Sequence, residues 1–206
     1  RDLHSFPTRR SSDLLQKENA DTLKCYPYKY ELYITFKIID NKLTVTHKVI
    51  NTNDEEMYFS IGAHPAFNCN LGDTLTFEYD ETLYSERIDR DSVITGDKDL
   101  ILQNSNKIEL TEHLFDKDAL IFSNVKSNYV ILNEKKAGKH IRFTFGDSPF
   151  LAIWAKPAAP FVCIEPWYGV NDSYEKTTDF SKKRGIQKLS SDEKFEFSWS
   201  AEFKED

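Results

Sequence analysis

The sequence predicts an all-β fold, a single β-sandwich domain with antiparallel pairing, and three observations support this class. Successive segments alternate apolar and polar residues with the period of two that is typical of half-buried strands. Turn-forming Gly, Pro, Asn and Asp residues separate these segments. No internal repeat, low-complexity tract or linker interrupts the series, so one domain is expected over residues 15–206.

The alternation is clearest at the two ends of this region. Residues 29–38 form the first predicted strand, and an Asp40-Asn41 turn leads into the return strand at 43–49. The last predicted strand, 195–203, places aromatic residues and Ala on one face and Glu and Ser on the other. Further strands are predicted at 57–61, 75–79, 83–88, 119–122, 129–132, 141–145, 150–154 and 161–165, with turns at 53–56 and 104–106.

Composition excludes several classes of protein. The 206 residues are 39% hydrophobic and have a formal net charge of -7, with both signs mixed along the chain, so no nucleic-acid partner is expected. Cys25, Cys69 and Cys163 lack CxxC spacing, so neither a disulfide framework nor a zinc knuckle is predicted. The sequence has no apolar run long enough to cross a bilayer and no signal-peptide core, so we expect a cytoplasmic protein with reduced thiols and no membrane partner.

Residues 1–14 do not look like part of the domain. They correspond codon by codon to one reading frame of a widely used sequencing-library adapter, so we expect a non-native segment joined to the protein at Leu15. His4 and the Arg9-Arg10 pair would then have no function, and native sequence upstream of Leu15 would be missing. The alternative is a natural, disordered N-terminal arm, because Pro7 and the mixture of Ser and Arg would not pack either.

One apolar strand carries a carboxylate. Alternate residues of a strand share a face, so Glu165 points the same way as Phe161 and Cys163. A carboxylate on an apolar surface is costly unless it is hydrogen-bonded, paired or protonated. Glu165 is therefore either a structural carboxylate that accepts N–H groups from the turn after Pro166, or a general base whose partial burial holds its pKa near the working pH.

Two histidines are expected to differ in role. His64 stands between Gly62 and Pro65, which fix a non-helical corner at a strand end, and it is either a local hydrogen-bonding group or a catalyst. A metal site is not predicted, because no other ligand stands at the usual spacing near His64. His47 falls in an apolar column of its strand and is expected to be a satisfied core histidine.

Asp118 and a basic triplet each allow two interpretations. Asp118, at the mouth of a predicted strand, either caps a turn or accepts hydrogen bonds from a polyhydroxylated ligand. The triplet Lys182-Lys183-Arg184 is either a solvated loop face or a binding site for a sugar phosphate.

Two motifs occur in a specific order, FSIGAHPAFN at 59–68 and FVCIEPWYGVND at 161–172. Together they resemble the aldose 1-epimerase (galactose mutarotase) family, in particular its LacX-like bacterial branch. The Tyr26-Pro27-Tyr28 lead-in, the 115–120 segment and the 185–187 approach to the last strand also fit this family. The resemblance covers residue 15 to the C-terminus and implies a large twisted β-sandwich with an open cleft on one sheet.

The resemblance also implies a catalytic pair. His64 matches the histidine that delivers a proton to the ring oxygen, and Glu165 matches the glutamate that takes the proton of the anomeric hydroxyl, with the two groups on opposite sides of the sugar. No metal, nucleotide or other cofactor is implied. Asp118 aligns with a carboxylate that holds sugar hydroxyls, while Phe67 and Trp167 either supply apolar faces for C–H stacking or pack in the core.

One departure concerns the N-terminal side of the domain. Full-length relatives contribute an arginine and a further histidine from strands that precede this region, and no counterpart follows Leu15. We therefore expect a sandwich that is incomplete at its N-terminus, with weak or absent activity. Its unpaired edge strands would favour aggregation or domain-swapped pairing as a homodimer.

The predicted function is that of an isomerase which interconverts the α and β anomers of a hexose by opening and reclosing the ring. One alternative is a hexose 6-phosphate epimerase, with Lys182, Lys183 or Arg184 at the phosphate. The other is a non-catalytic carbohydrate-binding or sensing module with the same fold. Each version has a monosaccharide as its partner.

Overall fold

The computed structural model describes residues 9–135, 138–175 and 177–205, with backbone alone for residues 9 and 10. Within these ranges the chain forms fifteen strands, one short α-helix (α1, Thr22–Cys25) and one 3₁₀ turn (Phe180–Lys182). The predicted all-β class is confirmed. The strands are β1 Arg9–Lys17, β2 Tyr30–Ile39, β3 Lys42–Asn51, β4 Met57–Phe59, β5 Ile61–Gly62, β6 Ala66–Asn68, β7 Thr74–Ile88, β8 Ile94–Glu109, β9 Leu120–Ser123, β10 Tyr129–Asn133, β11 Lys139–Thr144, β12 Phe150–Trp154, β13 Phe161–Tyr168, β14 Gln187–Leu189 and β15 Lys194–Glu205.

One large antiparallel sheet of thirteen strands dominates the fold. Its order is β1-β2-β3-β15-β11-β10-β7-β9-β12-β13-β5, with β6 also on β13 and β8 also on β7, while β4 and β14 pair separately. The sheet folds over on itself, because side chains of strands that are not neighbours meet in the middle. Phe67 on β6 lies 5.5 Å from Phe143 on β11, between ring centroids, and Tyr168 on β13 lies 4.7 Å from Phe197 on β15.

The core lies between the two halves of this folded sheet. Apolar residues at alternate positions of each strand point inward and form one continuous cluster, as the period-two pattern predicts. A second, smaller cluster lies on the outer face of β9 and β12, and it is made by Ile94, Ile121, Phe150, Ala152 and Val170.

The middle of the chain differs from the sequence prediction. The segments predicted as separate strands at 75–79 and 83–88 are one strand, β7, and the turn predicted at 104–106 lies inside β8. The pairing of β7 with β8 shifts register around Glu81, so a bulge absorbs the irregular pattern without ending either strand. The buried Glu81 carboxylate accepts the backbone N–H groups of Lys126 (3.0 Å) and Ser127 (2.8 Å), which fixes the bulge.

The N-terminal strand lies at one end of the sheet. β1 pairs with β2 in antiparallel register, with Leu15 opposite Tyr33, and residues 9–14 of the segment interpreted as non-native belong to this strand. Residues 1–8 of that segment, including His4, lie outside the described residues. Its non-native origin stays a prediction. Among the described residues, no helix combines the length and apolar composition that crossing a membrane requires.

Candidate active site

Strand β13 separates core residues from site residues by simple alternation. Val162 and Ile164 point into the sandwich core and are fully buried. Cys163 and Glu165 therefore point to the opposite face, as the sequence predicts. The polar groups of the site thus stand on the back of the same strand whose other face is part of the core.

His64 reaches this face because its loop is attached to β13 on both sides. β5 pairs with one end of β13, Gly62 opposite Trp167, and β6 pairs with the other, Ala66 opposite Cys163. Two further hydrogen bonds bind the loop itself: Ala63 N–H donates to the Pro166 carbonyl at 3.1 Å, and Ile164 N–H donates to the Pro65 carbonyl at 3.3 Å. His64 is consequently held beside Glu165.

The structure brings the two predicted catalytic residues into direct contact. His64 Nδ1 lies 2.5 Å from Glu165 Oε2. The same Oε2 accepts the indole N–H of Trp167 at 3.2 Å. The other imidazole nitrogen, Nε2, lies 3.6 Å from the sulfur of Cys163. The imidazole is therefore placed between a carboxylate and a thiol, with one ring nitrogen directed at each.

Burial differs sharply across the pair. The His64 side chain is 63% exposed, whereas the Glu165 side chain is 4% exposed. Burial raises the pKa of Glu165 above its ordinary value, and this effect outweighs the hydrogen bond and charge of His64 and the hydrogen bond from Trp167, which act in the opposite direction. The buried Glu165 carboxyl therefore retains its proton to a higher pH than a solvent-exposed carboxyl does.

The contact corrects one expectation. The sequence prediction placed the acid and the base on opposite sides of a sugar, but groups joined at 2.5 Å cannot have a pyranose between them. In this structure His64 and Glu165 stand together on one side of the site. That arrangement still suits a hemiacetal, since the ring oxygen and the anomeric hydroxyl are bonded to one carbon and lie next to each other.

The three predicted substrate-binding residues occupy different places. Trp167 is partly buried and contacts Glu165, so it belongs to the site. Phe67 lies opposite Val162, on the core face of β13, and packs against Phe143. Its position matches the core-packing alternative, and the structure does not bring it to the catalytic pair.

Asp118 lies in the turn before β9. Asp118 has a left-handed backbone conformation (φ 77°), and its carboxylate accepts the N–H of Ala119 at 2.7 Å. This geometry matches the turn-capping alternative. Asp118 also lines a polar surface depression together with Lys117 and Arg87, and no contact joins it to His64 or Glu165 among the described residues.

The basic triplet is already paired. Lys182 Nζ lies 3.0 Å from Asp179, Lys183 Nζ lies 2.8 Å from Asp172, and Arg184 makes two hydrogen bonds to Glu86, at 2.8 and 2.7 Å. Glu86 is buried, and the Arg184 guanidinium also lies 5.1 Å from the centre of the Phe150 ring. A phosphate would have to displace carboxylates from all three cations to use the whole triplet.

His47 is a core residue, as predicted, but it is not fully satisfied. Its ring stacks on Phe197, with 4.6 Å between ring centroids, and it is 7% exposed. Nδ1 has no hydrogen-bond partner within the described residues. Burial lowers the pKa of His47 to about 4, so the ring is neutral near pH 7.

Sequence reasoning missed two features of this region. The first is the role of Cys163, which alternation places on the same face as Glu165. Its contact with His64 joins residues 99 positions apart, and no local pattern connects them. The pair between Glu86 and Arg184 was missed for the same reason. A buried acid within a predicted strand was the signal that could have indicated a distant cation.

Comparisons with known proteins identify the family of the chain. Residues 7–187 match the family described as Aldose 1-epimerase. Protein LacX of Lactococcus lactis subsp. lactis, in a plasmid and a chromosomal form, is 33% identical over 184 residues, which is 84% of this chain and 62% of the relative. The chain thus spans 62% of the length of these curated relatives.

Solved structures show the same fold. A galactose mutarotase related enzyme from Lactobacillus acidophilus is 29% identical with a TM-score of 0.87, covering 94% of this chain and 68% of that one. A galactose mutarotase-like protein from Lactobacillus casei ATCC 334 is 30% identical with a TM-score of 0.86, covering 94% and 70%. The fold and the paired motifs define a mutarotase-like β-sandwich. The chain belongs to the aldose 1-epimerase family, and its resemblance to the LacX-like branch is confirmed.

Proposed function

We propose that this protein is an aldose 1-epimerase that interconverts the α and β anomers of a hexose, with His64 and Glu165 as the proton-transfer pair. The observation that carries the proposal is the 2.5 Å contact between His64 Nδ1 and Glu165 Oε2 on an exposed face of the sheet. Two adjacent proton-transfer groups match the two adjacent oxygens of a hemiacetal carbon.

The proposed reaction moves two protons and breaks one ring bond. The Glu165 carboxylate takes the proton of the anomeric hydroxyl, whose oxygen becomes the carbonyl oxygen. The bond between the anomeric carbon and the ring oxygen breaks, and the His64 imidazolium delivers a proton to that ring oxygen. Rotation about the first carbon–carbon bond, followed by reclosure with both transfers reversed, gives the other anomer and restores both residues.

The substrate would enter over His64. Because Glu165 is covered by the imidazole, the anomeric hydroxyl has to replace His64 Nδ1 as the hydrogen-bond partner of Oε2. Trp167 would keep Glu165 in place during this exchange, since its indole N–H donates to the same oxygen. Trp167 also offers an aromatic face for the C–H groups of the sugar.

Mutarotation of freshly dissolved α-glucose and α-galactose by the intact gene product, followed by polarimetry or anomer-resolved NMR, tests the proposal. We expect H64Q and E165Q each to lower the catalysed rate by about 10² to 10⁴, the usual worth of one proton-transfer group. H113Q is the matched control, because His113 is exposed and paired with Asp116 in a turn away from β13, and it should leave the rate unchanged.

A non-catalytic sugar-binding module is the competing function. It predicts measurable binding of glucose or galactose together with a mutarotation rate equal to the spontaneous one, unaffected by H64Q or E165Q. That result would contradict the epimerase. The hexose 6-phosphate variant is not favoured, because each cation of the triplet already contacts a carboxylate.

A further inference from the structure

The face of β13 that carries the catalytic pair also gathers a set of metal ligands. One nitrogen of His64, the sulfur of Cys163 and one carboxylate oxygen of Glu165 all lie within 4.8 Å of one another. No local sequence pattern indicates this cluster, because His64 is 99 positions from Cys163 along the chain. β5 and β6, which flank the 63–65 loop, both pair with β13, and this pairing brings the ligands together.

These three groups are of the types that zinc prefers. Zn²⁺ binds imidazole nitrogen, thiolate sulfur and carboxylate oxygen at about 2.0 to 2.3 Å in tetrahedral geometry. Ligand atoms around such an ion are therefore roughly 3.3 to 3.8 Å apart. The separation of 3.6 Å between His64 Nε2 and Cys163 Sγ already has this value. Glu165 contacts the other ring nitrogen, Nδ1, so the exposed imidazole has to turn before one nitrogen can share an ion with both Cys163 and Glu165.

Access and coordination number also fit. Cys163 and Glu165 are almost completely buried and held by the strand, whereas His64 is exposed and forms the outer side of the cluster. An ion would enter from the His64 side and keep its fourth position open to water. Trp167 donates to the ligand Glu165, an outer hydrogen bond of the kind that orients metal ligands.

We propose that His64, Cys163 and Glu165 form a binding site for Zn²⁺, and that the ion competes with sugar for the two proton-transfer residues. On binding, the thiol of Cys163 loses its proton to solvent and its sulfur bonds to the ion, with no change of oxidation state. The competition rests on the proposed function, but the metal binding does not. Occupancy by zinc would switch the epimerase off.

Titration of the full chain with Co²⁺ as a spectroscopic substitute for zinc tests the site without reference to activity. We expect one equivalent of Co²⁺ to give visible bands of tetrahedral cobalt and a near-ultraviolet band from thiolate-to-cobalt charge transfer. One equivalent of Zn²⁺ should remove both. In C163S the charge-transfer band should disappear, and in H64Q the affinity should fall at least about 100-fold, the upper end of what an outer-shell change costs.

Matched variants separate this site from adventitious binding. C25S removes an exposed thiol and H113Q removes an exposed imidazole beside Asp116, and both should keep the full cobalt spectrum. If C163S does not fold, as judged by circular dichroism, H64Q remains decisive because the His64 side chain is exposed. Absence of the charge-transfer band in the unmodified chain, or its persistence in H64Q with unchanged affinity, would overturn the proposal.

The competition has its own readout. At a Zn²⁺ concentration ten times the measured dissociation constant, we expect the catalysed mutarotation rate to fall about tenfold, in line with mass action. Zinc binding by the chain together with absence of mutarotation by the intact gene product would retain the metal site and reject the epimerase. A chain that binds zinc and keeps its full mutarotation rate would retain the site and reject the competition.

Discussion

Glu165 illustrates how one residue can be costly for folding and useful for chemistry. Its carboxyl is nearly buried, and its two polar partners, His64 and Trp167, both bond to a single oxygen. The raised pKa of Glu165 shows that burial is incompletely compensated. The equally buried Glu81 also accepts its bonds at one oxygen, but it has three donors, two backbone N–H groups and the Ser127 hydroxyl, as a structural carboxylate does.

This difference predicts opposite effects of the same substitution. The folded-state pKa of Glu165 is raised above 4.5, so its contribution to stability is present below that pH and is lost as the pH rises through the folded pKa. We therefore expect E165Q, which stays neutral and still accepts the Trp167 N–H, to unfold at a higher temperature than the unmodified chain at pH 7. The two should be equal near pH 4.

Thermal unfolding between pH 4 and pH 8 checks the prediction, with E81Q as the comparison. E81Q should lower stability at pH 7 by about 1 to 3 kcal/mol, because all three donors bond to Glu81 Oε1 and a neutral amide oxygen accepts them more weakly than a charged carboxylate oxygen. If E165Q is less stable than the unmodified chain at pH 7, the bonds from His64 and Trp167 outweigh the burial of the carboxylate.

At the scale of elements, the site depends on how tightly the ends of β13 approach β5. A Cβ atom on residue 62 would lie 2.7 Å from Trp167 Cδ1. Gly169, just after β13, has φ +133°, and a Cβ there would lie 2.5 Å from the Cβ of Ser60. Only glycine allows both the backbone conformation and this close approach.

Gly169→Ala is therefore expected to be strongly destabilising. Gly96→Ala is the matched control, since Gly96 also has positive φ (+94°) but a Cβ there would meet nothing within 4 Å. Both variants include the backbone strain, and only G169A adds overpacking, which typically costs about 1 to 3 kcal/mol. Urea unfolding of the two proteins measures the difference, and equal losses would show that the contact with Ser60 relaxes freely.

The loop after the second motif is bound to the sheet by a buried carboxylate. Arg184→Gln would leave the buried Glu86 with only the longer contacts to Ser123 Oγ (3.5 Å) and Lys98 Nζ (3.9 Å), and we expect a loss of about 1 to 3 kcal/mol, the cost of a poorly satisfied buried group. Lys182→Gln removes an exposed pair with Asp179, and a loss below about 1 kcal/mol is expected. Similar losses in the urea unfolding of both variants would contradict a structural role for Arg184.

The strands and their faces were largely predictable from sequence, while the contacts between them were not. Period two assigned Cys163 and Glu165 to one face and Leu32, Ile34 and Phe36 to another, because alternation is a local property. The same rule divided β7 in two, since a bulge at Glu81 breaks the pattern without breaking the strand. The approach of His64 to β13 and of Arg184 to Glu86 depends on pairing between distant segments, which local pattern does not encode.

At the scale of the whole molecule, the inner face of the sheet is only partly covered. On β2 and β15 the inward positions are buried near Phe197 but become exposed toward one end, where Phe36 is 37%, Ile38 44% and Phe203 48% exposed. These three residues, together with the adjoining groove beside Trp199, form an open apolar face. Such a surface favours association with another copy of the chain.

We expect the chain to self-associate through this open apolar face. The double variant I38K/F203K should remain monomeric at concentrations where the unmodified chain forms dimers or larger species, because two charges cannot be buried in the contact. L71K is the control, as Leu71 is more exposed (57%) but lies in a turn away from this face. Size-exclusion chromatography with light scattering checks it, and equal masses for all three proteins would exclude the face as an interface.

The back-to-back arrangement of β13 has a consequence for how the site can change. Val162 and Ile164 fill the core while Cys163 and Glu165 serve the opposite face, so deletion or insertion of one residue between 161 and 165 would exchange the two sets. The carboxylate would enter the hydrocarbon interior and the aliphatic side chains would face His64. This segment therefore cannot change in length without loss of the site. The chemistry of the site can change only by substitution within the strand or by variation in the loops that flank it.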